Sequence, residues 1–257
     1  MATPLHVIRD IRDQVSEEEW QVRVDLAACY RLIAHYGWDD LIYTHISARV
    51  PGGGHQFLIN PMGLLFEEVT ASNLVKIDLD GNKLLDTPYS VNRAGFVIHS
   101  AIHEVREDAG CVLHLHTPYG NAVSCQKDGL QRLTQTACFP LATIAYHDYE
   151  GVAVREDEKA RLVANLGDKH VLILRNHGTL TVGPSVGDAF HLMYILERAC
   201  EMQILAQSTG RELTTITDEA FRNAVTGGES VIEGAAQLGP WQAWRRMIDR
   251  IDPGYKE

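Results

Sequence analysis

The stretch Cys111-Val112-Leu113-His114-Leu115-His116-Thr117-Pro118 decides how the rest of this sequence is interpreted. It is short and apolar apart from its two histidines, and Thr117-Pro118 ends it, because the residue before a proline is restricted. We therefore predict a buried central strand. Side chains two apart on a strand project from the same face, so His114 and His116 are predicted to point together towards one ion.

A third histidine completes a candidate metal site. His177 lies in Arg175-Asn176-His177-Gly178, after the apolar stretch Val171–Leu174, where a tight turn can expose an imidazole at a strand end. Three protein ligands with one open position are typical of catalytic zinc sites. His114, His116 and His177 are therefore candidate ligands of one divalent metal ion, and spacing alone leaves open the alternative that the strand histidines pack in the core or bond a backbone carbonyl. Zn²⁺ is preferred, and Fe²⁺, Mn²⁺ and Co²⁺ are alternatives that the sequence does not separate.

Six other histidines are given surface or packing roles at this stage. They are His45, His99, His103, His147, His170 and His191. His99 ranks above the others, because its predicted helix immediately precedes the ligand strand.

Composition and charge exclude several classes of partner. The 257 residues carry 23 basic and 34 acidic side chains, a formal charge of −11, and no basic cluster that could follow a phosphate backbone. No apolar run approaches the ~20 residues that span a bilayer, and the start lacks the apolar core of a secretory signal. We predict a cytoplasmic protein with neither a nucleic-acid nor a membrane partner. The five cysteines contain no C-x-x-C pair, which favours reduced thiols.

Helical signals occur in four places. The first helix begins after Ser16, which forms a capping-box pattern with Glu19, and ends near Gly37. The other predicted helices cover Ala94–Val105, the stretch from Ser185 towards Gly210, and the stretch after Gly239-Pro240 with Trp241, Trp244, Ile248 and Ile251 on one face.

Strand signals cluster in pairs. His45–Val50 and His55–Asn60 flank three glycines and predict a hairpin, and Val75–Asp78 and Lys83–Leu85 flank Asp80-Gly81 and predict a second. Val171–Leu174 and Leu180–Val182 are further strand candidates. With the helices, these signals predict a three-layer α/β/α fold with a mixed, largely antiparallel central sheet. One domain over residues 1–257, with a helical extension over about 211–257, is the simplest organisation.

Three motifs strongly resemble the class II aldolase/adducin superfamily. They are His114-Leu-His116-Thr-Pro-x-Gly, Tyr146-His147-Asp148-Tyr149 and Leu174-Arg-Asn-His177-Gly178. The resemblance covers roughly Trp20 to Gly210 and points to bacterial proteins similar to the adducin head. It implies a class II aldolase-like α/β/α domain, commonly a fourfold-symmetric homotetramer with metal sites near subunit interfaces, and a metal centre on the three histidines named above.

The sequence departs from the aldolase pattern at one position. Sugar-phosphate aldolases of this family use an acid, usually Glu, about nineteen residues before the first ligand histidine, where this chain has Gly95. A neighbouring group has taken over the proton transfer, or the reaction is different. The hydroxyl pair that holds phosphate is replaced by Arg93-Ala94, and Arg93 suits a carboxylate. Asn60 and Gly63 are further candidates for substrate binding.

Several residues are candidates for the missing acid. Glu67 and Glu68 resemble a family segment near the active-site wall, although adjacent carboxylates at a helix start are common. Tyr119, just after the ligand strand, and Tyr146 are alternative proton donors. The sequence does not choose among them.

Three functions remain open. The first is a metal-dependent carbon–carbon lyase, of aldolase or decarboxylase type, acting on a small carbonyl or carboxylate compound. The second is a mononuclear non-haem Fe(II) oxygenase that uses the three-histidine site. The third is a non-catalytic, adducin-like binding module, which would explain the loss of the acid.

Overall fold

A seven-stranded sheet lies at the centre of the computed structural model, which describes residues 11–151, 156–227 and 239–257, without the side chains of residues 93, 94 and 156. The strands are β1 (His45–Arg49), β2 (Phe57–Ile59), β3 (Val75–Ile77), β4 (Cys111–Leu115), β5 (Ile144–His147), β6 (Val171–Leu174) and β7 (Gly178–Gly183). Their order is β3-β2-β1-β4-β7-β6-β5, and only β5 and β6 pair in parallel. The predicted mixed, largely antiparallel sheet is confirmed.

Helices connect and cover the strands. They are α1 (Glu17–Tyr36), α2 (Arg93–Val105), α3 (Pro118–Ser124), α4 (Gln135–Ala142), α5 (Glu156–Leu166), α6 (Val186–Ser208), α7 (Asp218–Gly227) and α8 (Pro240–Ile251). The predicted caps of α1 are present: the hydroxyl of Ser16 accepts the backbone N–H of Glu19, and Gly37 adopts a left-handed φ of 66°. The four predicted helices are confirmed, whereas α3, α4, α5 and α7 were not predicted.

The two faces of the sheet pack against different helices. Leu113 and Leu115 of β4 join the larger core, with residues of α1 and α6 such as Leu26 and Phe190. Val112, on the opposite face of β4, packs with residues of α2 and α5 in a second core. The alternation of side chains along β4 therefore separates two cores, and the three-layer arrangement is confirmed. His114 has the parity of Val112 and lies on the α2 side.

Helix α8 packs on the body of its own chain. Trp241 is 3% exposed, and its ring centroid lies 5.9 Å from that of Phe190 on α6. The indole of Trp244 donates a hydrogen bond of 3.0 Å to the hydroxyl of Tyr36 on α1. The amphipathic pattern of the last helix is thus explained by contacts within the chain. Its membership of a single domain with the rest stays a prediction.

The prediction of a second hairpin is wrong in one half. β3 forms as predicted, but Lys83–Leu85 is not a strand, and only an isolated bridge joins Ile77 to Lys83. The carboxylate of Asp78 accepts backbone N–H groups of Asp80 and Asn82 at 3.0 and 2.8 Å. This side chain closes the turn, so the turn does not depend on a continuing ladder.

All five cysteines are free thiols, four of them buried and Cys125 exposed. Among the helices that the structure describes, none is both long enough and apolar enough to cross a bilayer.

Candidate metal centre

The structure brings His114, His116 and His177 together in one cluster. One ring nitrogen from each lies within 4.8 Å of the others. The ring centroids of the three pairs are 4.8 to 5.0 Å apart. His114 is the last but one residue of β4 and His116 follows the strand directly, so the two-residue spacing places both rings on one side.

A tight turn between β6 and β7 delivers His177 to this cluster. Asn176 adopts a left-handed φ of 58°, and the backbone N–H of His177 donates to the carbonyl of Leu174 at 3.1 Å. Asparagine tolerates this conformation better than most residues. At Gly178 an added Cβ would lie 2.5 Å from the carbonyl oxygen of Leu115. Glycine therefore lets the turn approach the end of β4 closely.

Hydrogen bonds orient two of the three rings. The Nδ1–H of His114 donates to the carbonyl of Thr179 at 3.0 Å, and the Nδ1–H of His116 donates to the carboxylate of Asp40 at 2.9 Å. Because a carbonyl only accepts, Nε2 of neutral His114 is left as a lone pair. Nε2 of His116 is buried without a hydrogen-bond partner. Orientation by a carbonyl and a carboxylate is the usual second sphere of metal-binding histidines, so these residues fit a divalent ion.

Burial disfavours protonation of two of the candidate ligands, His114 and His177. Burial holds the pKa of His114 well below its ordinary value, and the neighbouring His45, His177 and His116 lower it further. Burial, with His116 and His147 nearby, lowers the pKa of His177 to about 4. Metal ions bind the unprotonated imidazole, so His114 and His177 need little deprotonation before they can coordinate an ion.

Asp40 is a functional candidate that the sequence analysis missed. It lies in the loop between α1 and β1, 76 residues before its histidine partner, and no local motif marks it. The next residue, Leu41, has a φ of 51°, a strained conformation for leucine, and is 60% exposed. Tyr43 in the same loop is 58% exposed. Two exposed apolar side chains therefore lie within three residues of Asp40 in this loop.

His45 explains the glycine at position 95. His45 on β1 is paired in register with His114 on β4, and their ring centroids lie 5.0 Å apart. A Cβ at Gly95 would lie 2.7 Å from Cγ and Cδ2 of His45. The imidazole of His45 therefore occupies the space that a side chain at position 95 would need. His45 is 2% exposed, which fits the packing role given to it above, and its ring packs beside a candidate ligand.

The predicted substrate-binding residues have different surroundings. Asn60 is 3% exposed, and its Oδ1 lies 2.9 Å from the hydroxyl of Tyr30 inside the larger core. Gly63 is exposed and has a φ of 94°. Arg93 begins α2, but its side chain lies outside the described part of the structure. A role in substrate binding stays a prediction for all three.

The predicted proton donors make other contacts. Glu67 and Glu68 are exposed on a short 3₁₀ helix, and the carboxylate of Glu68 accepts the backbone N–H of Leu65 at 2.7 Å. Tyr119 lines a cavity with Tyr36, Trp38 and Tyr194. The hydroxyl of Tyr146 accepts the backbone N–H of Leu130 at 3.1 Å. Among the described residues, no hydrogen bond joins these four candidates to the three histidines, and their catalytic roles stay predictions.

A buried carboxylate beside His177 is a further candidate. Glu158 on α5 and His147 at the end of β5 line a small cavity together with His177. Oε1 of Glu158 lies 3.5 Å from Nε2 of His147, and Oε2 is buried without a hydrogen-bond partner. Nδ1 of His147 lies 2.7 Å from Oδ1 of Asn165, which fixes the ring. His147 belongs to a motif quoted above, whereas nothing in the local sequence distinguishes Glu158.

Comparison with known proteins places this geometry in a family. The sequence profile described as Class II Aldolase and Adducin N-terminal domain matches residues 24–204. A Pseudomonas aeruginosa protein named as an aldolase class 2 protein is 54% identical over 251 residues, which cover 96% of each chain. Alpha-adducin of Rattus norvegicus is 42% identical over 273 residues, which cover all of this chain and 36% of the adducin.

Solved structures agree with the sequence comparisons. An aldolase II superfamily protein from Pseudomonas syringae superposes with a TM-score of 0.91 at 50% identity, covering 96% of this chain and all of the other. The L-fuculose 1-phosphate aldolase of Glaciozyma antarctica gives a TM-score of 0.82 at 28% identity, covering 94% and 93% of the two chains. On this evidence, the chain belongs to the class II aldolase and adducin family.

Proposed function

We propose that this protein is a metal-dependent carbon–carbon lyase acting on a small oxygenated carbonyl or carboxylate compound. The observation that carries the proposal is the cluster of His114, His116 and His177, with its second sphere of Thr179 and Asp40. A divalent ion, for which we prefer Zn²⁺, would supply Lewis-acid polarisation of a carbonyl oxygen. Among the relatives, a protein named L-fuculose 1-phosphate aldolase has this fold.

The residues around the cluster perform the other tasks of such a reaction. Thr179 and Asp40 orient the ligand rings, so their nitrogens need not reorganise during the reaction. We assign proton transfer to Glu158, because its unpartnered oxygen is enclosed in a cavity that it shares with His177. Enclosure also limits the access of bulk water to this carboxylate.

Metal analysis and assay of a matched pair of variants test the proposal. We expect the purified protein to bind about one Zn²⁺ per chain. His116→Ala should lose most of the metal, whereas His170→Ala, directly before β6 and outside the cluster, should retain it. Retention of the full metal content by His116→Ala would refute the assignment of the ligands.

The reaction class needs a separate measurement. Zinc-loaded protein should cleave members of a panel of hydroxy-aldehydes, hydroxy-ketones and 2-oxo acids, and Glu158→Gln should reduce turnover by ~10²-fold while the metal stays bound. Oxygen uptake by the anaerobically iron-loaded protein with 2-oxo acids would instead identify an oxygenase. Metal binding without turnover in either assay would favour the non-catalytic, adducin-like module.

We further propose that the chain works as a homotetramer. The proposal is supported by the exposed Leu41 and Tyr43, which lie in the loop that reaches the candidate centre through Asp40. Contiguous exposed apolar surface often marks a protein–protein interface. Light scattering of the purified protein tests this, and Tyr43→Lys should lower the oligomeric state if this loop is the interface.

A further inference from the structure

A buried network of four side chains adjoins the candidate metal centre. We call His45, Ser47, His99 and His103 the histidine network; each is at most 2% exposed. Nδ1 of His45 lies 2.8 Å from Nε2 of His99, and the hydroxyl of Ser47 lies 2.5 Å from Nδ1 of His99 and 2.7 Å from Nε2 of His103. Nδ1 of His103 lies 3.1 Å from the carbonyl of Ala109. The histidine network is thus one continuous chain of hydrogen bonds.

Strand and helix periodicity together build this network. His45 and Ser47 are two apart on β1 and project from one face of the sheet. His99 and His103 are four apart on α2, the helix that covers this face, and lie one turn apart on the same side. Polar groups buried in this way are stable only when they are hydrogen-bonded to one another.

The carbonyl at one end sets the direction of every hydrogen bond. The carbonyl of Ala109 can only accept, so Nδ1 of His103 carries the hydrogen. Burial lowers the pKa of His103 to about 3, and therefore its Nε2 is a lone pair that accepts the hydroxyl hydrogen of Ser47. Ser47 then has no hydrogen left for His99 and must accept from Nδ1–H of that ring.

The hydrogen positions on His99 also determine those on His45. His99 is fully buried, which holds its pKa well below the ordinary value, so its Nε2 is a lone pair. This nitrogen can only accept, and Nδ1 of His45 must therefore donate to it. In neutral His45 the remaining nitrogen, Nε2, is an acceptor. No described residue forms a hydrogen bond with this nitrogen, and the ring centroid of His45 lies 5.0 Å from that of the candidate ligand His114.

We infer that His45 presents an unprotonated Nε2 beside the candidate metal centre as a hydrogen-bond acceptor, and thereby selects a substrate that carries a hydroxyl group at this position. A carbonyl or carboxylate oxygen, which only accepts, would face this lone pair without a hydrogen bond. His45 is the substrate-contacting residue of this inference, and Ser47, His99 and His103 are positioning residues. The inference rests on the proposed function for its substrate, whereas the hydrogen positions stand independently of it.

Neutron diffraction from crystals of the perdeuterated protein tests the hydrogen positions directly. We expect deuterons on Nδ1 of His45, His99 and His103, and none on Nε2 of His45. Ser47→Thr keeps a hydroxyl in the network and should preserve this pattern, whereas Ser47→Ala should remove the constraint on the His99 tautomer. A deuteron on Nε2 of His45 in the wild-type protein overturns the inference, whether or not the protein binds metal.

Binding of two small acids to the zinc-loaded protein tests the selectivity. Glycolate and methoxyacetate both have a carboxylate and a second oxygen, but only glycolate has a hydroxyl hydrogen to donate. We expect wild-type protein to bind glycolate about tenfold more tightly than methoxyacetate, which is the effect of one hydrogen bond to a buried partner. His45→Phe should abolish this preference while retaining zinc.

Two outcomes of the binding experiment contradict the inference. Equal affinity of the wild-type protein for the two acids would show that no acceptor faces the bound molecule. Loss of zinc from His45→Phe to the extent seen in His116→Ala would identify His45 as a metal ligand. If wild-type protein binds no zinc, the proposed function fails, and the neutron result still decides the state of His45.

Discussion

The carboxylate of Asp40 should raise the affinity of the three-histidine cluster for metal. It accepts the Nδ1–H of His116 at 2.9 Å and so directs Nε2 of that ring into the cluster. Loss of such a second-sphere carboxylate typically costs 10- to 100-fold in metal affinity. The Asp40 side chain is 48% exposed, and solvent screening places the effect near the lower end. We expect Asp40→Asn to weaken zinc binding about tenfold, or ~1.4 kcal/mol.

Competition with a chromophoric zinc chelator at fixed pH and ionic strength measures this change. Asp39→Asn is the matched control, because it removes the same charge from the neighbouring residue, which has no hydrogen bond to His116 among the described contacts. An affinity of Asp40→Asn within twofold of wild type would refute the orienting role. An equal loss of zinc affinity in both variants would show that the negative charge of the loop, and not the hydrogen bond to His116, raises the affinity.

Three further changes test the packing and the electrostatics around the site. Gly95→Ala places a Cβ 2.7 Å from the ring of His45, so an overpacking cost of ~1–3 kcal/mol should exceed the ~1 kcal/mol gain in helix propensity. Urea unfolding should therefore show a lower free energy of unfolding for this variant. The control Gly227→Ala, which has open space around the new Cβ, should show no such decrease. Burial lowers the pKa of His103 in the folded protein to about 3, whereas in the unfolded chain this residue takes up a proton below its ordinary pKa of 6.5. The free energy of unfolding should therefore fall by up to ~1.4 kcal/mol per pH unit as the pH drops from 6.5 towards 3. If His103→Gln showed the same dependence of unfolding free energy on pH, the low pKa of His103 would be contradicted. Trp244→Phe removes the 3.0 Å hydrogen bond to Tyr36 and should cost ~1 kcal/mol, and a double-mutant cycle with Tyr36→Phe should recover a coupling of similar size.

Local signals were sufficient for much of the fold. The caps of α1, the apolar runs of β4 and β6 and the glycines before β2 each act within a few residues, so these elements were predicted correctly. The prediction of the second hairpin failed because a turn signal does not determine whether the residues after the turn pair with a neighbouring strand. α3 and α4 lack a long amphipathic pattern, because they are short and packed against α6.

The sequence by itself determined the candidate ligands. Strand alternation places His114 and His116 on one face, and the turn before Gly178 exposes His177, so residue type and spacing were enough to group them. The structure then brought the three rings within coordinating reach of one another.

Only the tertiary structure decided what surrounds these ligands. Asp40 reaches His116 from 76 residues away, Glu158 shares a cavity with His177, and the ring of His45 fills the space beside Gly95. Each of these three contacts joins residues that are far apart in the sequence, and none of them is encoded in a short window of sequence. In the sequence, Gly95 stands where the family has an acid. In the folded protein, its lack of a side chain leaves room for the buried ring of His45.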